Sequence, residues 1–402
     1  MIGSNERVIR KKVLVMTSTF PRWAGDHGPR FVFELCRHLC TDFDVTVLAP
    51  HAPGAKTNEI LDGIRVVRFR YFFEWGESLA YQAGILPNLR SNPLRYVLVP
   101  GFLVLQFIAL IRLLHQQKFS AIHAHWLIPQ GFVATVSRFL LPNRPPLLIT
   151  VHGSDLHSLR STLFLSLQRF VMARCDSLVA VSAAMKSQAL GLGAKPEATF
   201  VASMGIDTSS VFTPSQKIVR TTNEVLYVGR LSTQKGLNLL IRAMPKVLSV
   251  YPDCKLRIVG QGPSLPEMQA MAEDSGIAGN VSFLGPMASI DLAQIYREAA
   301  LLVFPSISEE GFGLVCVEAM ACECPVIAAN QPATREIIND GVTGVLFNQG
   351  DWDDLACQII TLLNNPALRC RIGINGRKSV TQHFDWKIIS GKYRELLNNI
   401  IL

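Results

Sequence analysis

Short apolar runs rich in valine, isoleucine and leucine alternate with longer amphipathic stretches along the first half of the chain. Between the apolar runs, Arg30–Leu39 and Leu163–Ala173 repeat apolar residues at the spacing of a helix. Strands that are apolar throughout, separated by helices, are typical of a parallel sheet covered on both faces. The strands predicted in this half are Val13–Met16, Val45–Leu48, Ile64–Val67, Ser120–His123, Leu147–Thr150 and Leu178–Val181.

The same alternation begins again at Glu224, after a polar piece, residues 207–223, that contains Pro214 and is predicted to be a linker. We therefore predict an α/β protein of two doubly wound, Rossmann-like domains, residues 1–206 and 224–385, facing each other across a cleft. Residues 386–402 are predicted to form a helix that crosses back to the first domain. The strands predicted in the second half are Val225–Val228, Leu256–Val259, Val281–Leu284, Leu301–Phe304, Pro325–Ala328 and Gly344–Phe347.

One apolar stretch, Tyr96–Ile111, raises the question of a membrane span. It carries no charge, but it is 16 residues long, whereas a span needs about 20. It also contains Pro100, Gly101 and Gln106. These features favour a buried or membrane-leaning helix over a true span. The polar, basic N-terminus has no secretory signal, so we expect a cytoplasmic protein.

The composition indicates a well-packed protein of a reducing compartment. Of the 402 residues, 49% are hydrophobic and 17% are charged, which argues against disorder. The nine cysteines are scattered and include no C-x-x-C pair. This spacing argues against a disulfide framework and against a zinc site.

Charge is distributed unequally between the two halves of the chain. Residues 1–204 contain 22 Lys and Arg against 12 Asp and Glu, a balance of +10, whereas residues 205–402 contain 17 against 19, a balance of −2. The basic half predicts an anionic partner. Because the basic residues are dispersed and no nucleic-acid motif is present, we expect an anionic lipid surface or phosphorylated acceptor and no nucleic acid.

Two Rossmann-like domains are also typical of dehydrogenases, which carry G-x-G-x-x-G directly after a strand. The segment after the first predicted strand, Thr17–Arg22, contains no glycine. Gly260 and Gly262 follow a later strand, but Leu265 stands at the third glycine position. The sequence therefore disfavours a dehydrogenase.

A candidate anion site lies between Gly229 and Gly236, where a predicted strand ends and a helix begins. Arg230 and Lys235 place two cations beside the free backbone N–H groups of a helix N-terminus. Sugar transfer from a nucleotide donor needs such a site, because charge accumulates on the departing diphosphate. A solvated loop with two surface charges is the other interpretation of this segment alone.

A second segment, residues 308–327, carries Glu310 and Glu318 with seven residues between them. The glycines Gly311 and Gly313 allow the main chain to approach a ligand closely. Val315–Ala321 is predicted to form a helix that points its N-terminus at the same ligand. Each glutamate alone fits a surface carboxylate or a helix cap, but the ordered set indicates the recognition of hydroxyl groups.

These motifs resemble the retaining glycosyltransferases of family 4, which adopt the GT-B fold. The resemblance covers nearly the whole chain and includes Met204–Asp207 with Phe212 and Pro214 in the linker region. It implies that Arg230 and Lys235 neutralise the donor diphosphate. The other implied roles are ribose binding by Glu318, sugar binding by Glu310, Gly311, Phe312, Gly313 and Leu314, and a base pocket at Gly260, Gly262 and Met287.

The resemblance also implies a catalytic role for His152, which follows a predicted strand and precedes Gly153. Glu310 is the second residue to which we assign a catalytic role. Gly28, beside His27 in the loop that opens the first helix, is expected to contact the diphosphate from the opposite side. Trp126 and Arg22 are candidates for the acceptor side.

His123 and His125 alternate in one predicted strand, so their imidazoles share a face. No nearby acidic residue or cysteine completes a metal site, and we expect neither a metal nor another cofactor. Two departures from the family pattern, Glu323 in place of a frequent glycine and Met204 in place of a frequent proline, remove no motif residue. Strain at the helix end is the expected cost of Glu323.

The resulting hypothesis is a metal-independent hexosyltransferase. It would transfer a sugar from a UDP- or GDP-sugar to a glycan or lipid-linked acceptor and retain the anomeric configuration. The reaction would belong to cell-surface or exopolysaccharide synthesis. An anionic membrane surface, such as the inner membrane face, is the expected partner of the basic half. A nucleotide-sugar epimerase of the same fold and a non-catalytic nucleotide-sugar-binding protein remain alternatives at this point.

Overall fold

A computed structural model describes residues 10–26, 28, 30–81, 84–142, 144–157 and 161–401. The chain divides into two compact units. The first comprises the chain up to Val181, Met185–Ala202 and the chain from Ser390 onward, and the second comprises Ser182–Ala184 and Ser203–Ile389. The predicted linker, residues 207–223, lies within the second unit.

The first unit contains an eight-stranded sheet of order β3-β4-β2-β1-β5-β6-β7-β8. All neighbouring strands are parallel except β3, which pairs antiparallel with β4 at the edge. The elements of this half are β1 (Lys11–Met16), α1 (Phe31–Leu39), β2 (Phe43–Pro50), β3 (Asn58–Leu61), β4 (Ile64–Phe69), α2 (Ile85–Ser91), α3 (Leu98–Gln116), β5 (Ala121–His125), α4 (Phe132–Arg138), β6 (Leu147–Val151), α5 (Ser154–His157), α6 (Thr162–Met172), β7 (Ser177–Ala180), α7 (Ala183–Gly191) and β8 (Thr199–Val201).

The second unit contains a six-stranded parallel sheet of order β11-β10-β9-β12-β13-β14. The strand order reverses between β9 and β12, and in the first unit it reverses between β1 and β5. In doubly wound sheets ligands bind at the carboxyl ends of the strands on either side of such a reversal. The elements are β9 (Glu224–Val228), α8 (Leu237–Val250), β10 (Lys255–Val259), α9 (Leu265–Asp274), β11 (Val281–Gly285), α10 (Ser289–Glu298), β12 (Leu301–Phe304), α11 (Leu314–Ala321), β13 (Val326–Ala329), α12 (Pro332–Ile337), β14 (Val345–Phe347), α13 (Trp352–Asn364), α14 (Pro366–His383) and α15 (Trp386–Ile401).

The two doubly wound sheets confirm the predicted fold class, and each predicted strand is present within two residues of its predicted bounds. Two strands were missed. β3 is an edge strand whose side chains are half-buried or exposed, and β8 has only three residues, of which Phe200 and Val201 are exposed. Neither has the continuous apolar run that marks a buried parallel strand.

The last helix, α15, begins in the second unit and continues into the first. From Ser390 onward its residues belong to the first unit, where Tyr393 and Leu397 are buried. The Tyr393 hydroxyl lies 3.4 Å from Thr150 Oγ1 and donates at 3.4 Å to the carbonyl of Ala202. The final residues of the chain thus complete the packing of the first unit.

The helix around α3 extends beyond the uncharged run Tyr96–Ile111. A continuous helical segment, Pro93–Gln116, has 24 residues, and an 18-residue stretch within it has a mean hydropathy of 2.3. Pro100 is the third residue of α3, and proline is tolerated in a first helical turn. By length and composition alone the segment is able to cross a membrane, which is weak evidence, because core helices pass the same test. Five of its residues, Leu98, Phe102, Gln106, Leu110 and Leu113, are buried.

Glu323 adopts the strained backbone expected from the sequence. Its φ is +58°, in the left-handed region that favours glycine. It follows α11 directly after Cys322, and its carbonyl lies against Gly373, where a Cβ would approach to 2.4 Å. The strain lies at the end of the helix and leaves Glu318, one turn earlier, in place.

Candidate functional site

The predicted anion site follows β9 in the second unit. Gly229 continues the strand, and a 3₁₀ turn, Thr233–Lys235, leads to Gly236, which caps the N-terminus of α8. Gly236 has a φ of +71°, and a Cβ there would lie 1.9 Å from the carbonyl oxygen of Pro305. Only glycine fits this position, because the loop after β9 passes directly over the end of β12.

Lys235 forms an ion pair with Glu310, which follows β12. The lysine Nζ lies 2.8 Å from both carboxylate oxygens, and the Ser306 hydroxyl donates to Oε1 of the same carboxylate. The Glu310 side chain is only 11% exposed, whereas that of Lys235 is 32% exposed. The structure thus brings together two predicted site residues that are 75 positions apart, at the point where the strand order reverses.

Arg230 lies in the same loop, two residues after β9, and is half-buried. Burial lowers the pKa of its guanidinium from the ordinary value, but arginine remains charged at physiological pH. Arg230 and Lys235 together give this end of the sheet two positive charges. In this structure, Glu310 is the anion that contacts Lys235.

The glycine-containing loop after Glu310 leads into α11. Gly313 has a φ of +112° and forms the N-cap of the helix, whose first residue is Leu314. Phe312 is 4% exposed, and its ring packs against Phe384 with centroids 5.4 Å apart. The buried Phe312 side chain therefore stabilises the loop. Gly311 and Leu314 are half-buried.

Glu318 lies one turn into α11 and is half-buried. Its Oε2 accepts a hydrogen bond of 3.0 Å from the hydroxyl of Tyr296. Burial raises the pKa of this carboxyl to about 7, so it is charged for only part of the physiological range. The sequence did not reveal Tyr296, on α10, as a partner of this candidate residue, because nothing in the pattern around it distinguishes it from a core tyrosine.

Gly260 and Gly262 hold the loops after β9 and β10 against each other. Cβ atoms at these positions would lie 1.9 Å from the Gly229 carbonyl oxygen and 2.1 Å from that of Leu231. The Leu231 N–H also donates to the Gln261 carbonyl at 3.0 Å. These glycines thus have a packing function, and Met287, the third residue predicted for the base pocket, is half-buried after β11.

Replacing Gly260 by alanine is expected to lower the free energy of unfolding by about 3 kcal/mol, since the new methyl group meets a backbone carbonyl and the φ of +137° is strained for alanine. Chemical denaturation of the full chain measures this change. Gly279→Ala is the matched control, because no atom lies within 4 Å of its Cβ position. It should change the unfolding free energy by less than about 0.5 kcal/mol. Equal stabilities for the two variants would contradict the packing role.

In the first unit, the half-buried His152 follows β6 and forms a cluster with the buried imidazoles of His123 and His125. His125 Nδ1 lies 2.9 Å from His152 Nε2, and His123 Nε2 lies 2.9 Å from Thr150 Oγ1. The rings of His123 and His125 are 4.3 Å apart, as expected for alternate residues of one strand. Burial lowers the pKa of His123 and of His152 to about 3, so both are neutral at physiological pH.

Asp155 fixes the turn that carries His152. Its Oδ1 accepts hydrogen bonds from the N–H groups of His152 and Gly153, and its Oδ2 accepts one from Leu127. Gly153 has a φ of +114°, which the turn requires. The sequence offered a signal for this role, since aspartate side chains in tight turns commonly accept hydrogen bonds from nearby backbone N–H groups.

The remaining predicted residues of the first unit lie in loops after β1 and β5. Trp126 has a φ of +73°, and its ring centroid lies 4.8 Å from that of His152. Arg22 forms an ion pair of 2.7 Å with Asp26 and lies over the ring of Trp23. A Cβ at Gly28 would lie 3.6 Å from Asp26 Oδ2. His27, its neighbour in the predicted contact, lies outside the described residues.

Metal binding has no support in the geometry of the described ranges. In that part of the chain, no group of three or more histidine, cysteine, aspartate or glutamate residues is arranged to hold a metal ion. His123, His125 and His152 contact one another and Thr150 within the sheet. The cluster therefore resembles a packed support for His152 more than a set of ligands.

Comparison with known proteins places these features in a family. Residues 28–210 match the model of Glycosyltransferase Family 4, and residues 211–379 match Glycosyl transferases group 1. An uncharacterized glycosyltransferase of Methanocaldococcus jannaschii is 30% identical over 68% of this chain and 74% of its own length. A phosphatidyl-myo-inositol mannosyltransferase of Mycobacterium leprae is 30% identical over 63% of this chain and 67% of its own.

A solved structure shares the fold across both units. HepE of Anabaena, crystallised with UDP, superposes with a TM-score of 0.75 at 21% identity, covering 96% of this chain and 100% of that one. Together with the sheet topology, this likeness confirms the predicted GT-B fold.

Proposed function

The chain belongs to glycosyltransferase family 4, and from that premise we propose that it transfers a hexosyl unit from a UDP- or GDP-sugar to an acceptor hydroxyl with retention of configuration. The acceptor is a glycan or a lipid-linked sugar of a cell-surface polysaccharide or exopolysaccharide, and the reaction takes place on the cytoplasmic side of the membrane. The second unit binds the donor, and the first unit presents the acceptor.

The observation that carries this proposal is the pairing of Lys235 with Glu310 where the strand order reverses. A diphosphate is the ligand that matches two cations and a helix N-terminus at such a place. In the structure the Glu310 carboxylate contacts Lys235 Nζ at 2.8 Å. A bound donor therefore competes with Glu310 for the lysine and frees the carboxylate to accept hydrogen bonds from sugar hydroxyls.

The residues have separate tasks in the proposed reaction. Arg230 and Lys235 stabilise the negative charge that develops on the diphosphate as the bond from the sugar C1 to the phosphate oxygen breaks. The acceptor oxygen forms its bond to C1 on the same face, and its proton moves to the departing phosphate oxygen. His152, neutral and held by His125 and Asp155, keeps the reacting centre in position.

The acceptor assignment has two supports. The relative from Mycobacterium leprae is by its name an enzyme that acts on phosphatidyl-myo-inositol, an anionic lipid. The first half of the chain has a charge balance of +10, counted from 22 basic and 12 acidic residues. Both favour an acceptor attached to, or located at, an anionic membrane surface.

The test begins with thermal denaturation of the full chain in UDP-, GDP-, ADP- and TDP-sugars, with the parent nucleotides alongside. A donor present at 100 times its dissociation constant stabilises the protein by about 2.7 kcal/mol. The stabilising donor is then supplied with a membrane extract, and the anomeric configuration of the product is read by NMR. A product with the donor's configuration is expected. Donor binding without transfer, or a free epimerised sugar as product, would overturn the proposal.

Activity is expected to persist in excess chelator, because Arg230 and Lys235 neutralise the diphosphate without a divalent ion. The measurement compares initial rates in EDTA and in magnesium, with Lys235→Ala measured in both. Loss of turnover in EDTA that magnesium restores in the wild type would refute metal independence. It would leave the assignment of the donor site to the second unit untouched.

Donor affinity is expected to fall about tenfold between pH 8 and pH 6. The Glu318 carboxyl has a pKa of about 7, so its charged form, which accepts hydrogen bonds from the ribose, becomes scarce as the pH falls through 7. Isothermal titration with a nucleotide-sugar measures this, because its diester phosphates do not titrate in this range. Glu318→Gln should bind the donor more weakly but with a flat pH dependence. The same pH dependence in both proteins would exclude Glu318 as its source.

A further inference from the structure

The segment Pro93–Gln116 contains the uncharged, mostly apolar run Tyr96–Ile111, although only one of its sides is buried. The buried residues Leu98, Phe102, Leu110 and Leu113 form a stripe that packs on the first unit. Away from this stripe, Leu94 and Val97 are 79% and 76% exposed. A surface helix of a water-soluble domain carries polar residues on its outer side, whereas an outer side of this kind fits an apolar environment.

An aromatic cluster adjoins the first turns of this helix. Phe72, Phe73 and Trp75 have ring centroids 5.4 to 6.4 Å apart, and Trp75 is 82% exposed. The chain just before the cluster packs on α3: the rings of Tyr71 and Phe102 lie 5.1 Å apart, and a Cβ at Gly101 would lie 2.9 Å from the Tyr71 carbonyl oxygen. The cluster therefore lies beside the first turns of α3. Exposed tryptophan, tyrosine and phenylalanine are enriched where proteins meet the lipid interface.

The charge around this surface indicates which kind of partner it binds. Between Glu77 and Asp155 the chain contains no aspartate or glutamate, but it contains six basic residues. Two of them, Arg95 and Arg112, lie on the helical segment itself. Within the aromatic cluster, Glu74 is paired with Arg70 at 3.0 Å, so the charge around the surface is positive on balance. An apolar surface with a positive border attracts anionic lipid headgroups and disfavours contact with a second copy of itself.

We propose that this surface, called the apolar face and represented by Phe73, Trp75, Leu94, Val97, Val104 and Ile108, inserts into one leaflet of an anionic bilayer. The helix lies parallel to the membrane plane and does not span it, because the stripe from Leu98 to Leu113 stays packed on the protein. The inference deepens the proposed function by locating the contact with the membrane that carries the acceptor. Lipid binding itself requires neither donor nor catalysis.

The experiment measures co-flotation of the full chain with vesicles of pure phosphatidylcholine and of phosphatidylcholine with phosphatidylglycerol, at low and high salt. We expect binding to the anionic vesicles, weakened by salt. The double variant Phe73→Ala with Trp75→Ala should lower the partition coefficient about tenfold or more. The control is Val219→Ala with Ile290→Ala, which removes two side chains that are 90% and 70% exposed in the second unit. The control should bind like the wild type.

Thermal denaturation of each variant establishes that it is folded, and these side chains are exposed, so a loss of vesicle binding reports on the surface. Absence of wild-type binding to anionic vesicles at low salt would overturn the proposal, as would equal binding by the Phe73 and Trp75 variant. Sedimentation that shows a dimer abolished by that variant, without vesicle binding, would reassign the face to self-association. Donor binding is measured separately on the same proteins. A failure of transfer activity is thereby distinguished from a failure of membrane docking.

Discussion

Replacing Lys235 by alanine is expected to lower kcat/KM for sugar transfer about a thousandfold. The lysine contributes one of two positive charges at the diphosphate site, and removing one such group at a transition-state anion costs two to three orders of magnitude in typical enzymes. The substitution also leaves Glu310, which is 11% exposed, with the Ser306 hydroxyl as a remaining partner. An uncompensated carboxylate then repels the donor diphosphate in addition to the loss of the cation.

Steady-state kinetics with the donor identified by the binding panel measures this effect. Lys246→Ala is the matched control, because Lys246 forms an exposed ion pair with Asp353 in the same unit. It should retain wild-type kinetics, since exposed ion pairs contribute little. Combining Lys235→Ala with Glu310→Ala separates the two effects: partial recovery of donor affinity relative to Lys235→Ala would show the repulsion. Near-normal turnover by Lys235→Ala itself would remove the lysine from the donor site.

Replacing His152 by alanine is expected to lower kcat about a hundredfold while donor affinity changes less than about threefold. The neutral imidazole positions the reacting centre, so its loss affects the orientation in the transition state more than ground-state binding. Burial lowers the pKa of His152 to about 3. The pH–rate profile of the wild type should therefore show no change caused by titration of His152 between pH 5 and pH 9. His152→Gln, which retains a hydrogen-bonding group, should recover part of the rate.

The measurements are kcat and donor affinity across that pH range for both variants and for His383→Ala. His383 is an exposed histidine whose Nδ1 contacts the Ser379 carbonyl at 2.8 Å, and its loss should leave the kinetics unchanged. A limb near pH 6 to 7 in the wild type that disappears in His152→Ala would show instead that the imidazole acts as an acid or base. Equal losses of kcat and donor affinity would identify it as a donor ligand.

The strands were predictable from sequence because parallel strands buried on both faces are continuous apolar runs, as in Leu147–Val151. The Lys235 and Glu310 pair was not, because it depends on strand order: β9 and β12 are neighbours although two strands separate them in the chain. The full length of the helical segment around α3 was not predicted, because the segment includes Arg95 and Arg112, the charged residues that bound the uncharged run. The helix continues for four residues after Arg112.

The glycines illustrate a different limit. Family resemblance assigned Gly260 and Gly262 to the base pocket. Their spacing in the sequence does not indicate that the carbonyl groups of Gly229 and Leu231 lie close to their Cα atoms. Gly236 meets the Pro305 carbonyl in the same way. A glycine pattern reports that the backbone is crowded, but only the fold identifies the neighbour that causes the crowding.

The passage of α15 into the first unit has a consequence for biosynthesis. Residues from Ser390 onward leave the ribosome last, after the whole second unit, yet Tyr393 and Leu397 belong to the core of the first. At about 5 to 20 residues per second, the roughly 200 residues that separate β8 from these side chains take about 10 to 40 seconds to synthesise. During this interval the nascent first unit lacks the helix that covers Thr150 and Ala202. The first unit is therefore synthesised before the second, but its packing is completed only after the second has been synthesised.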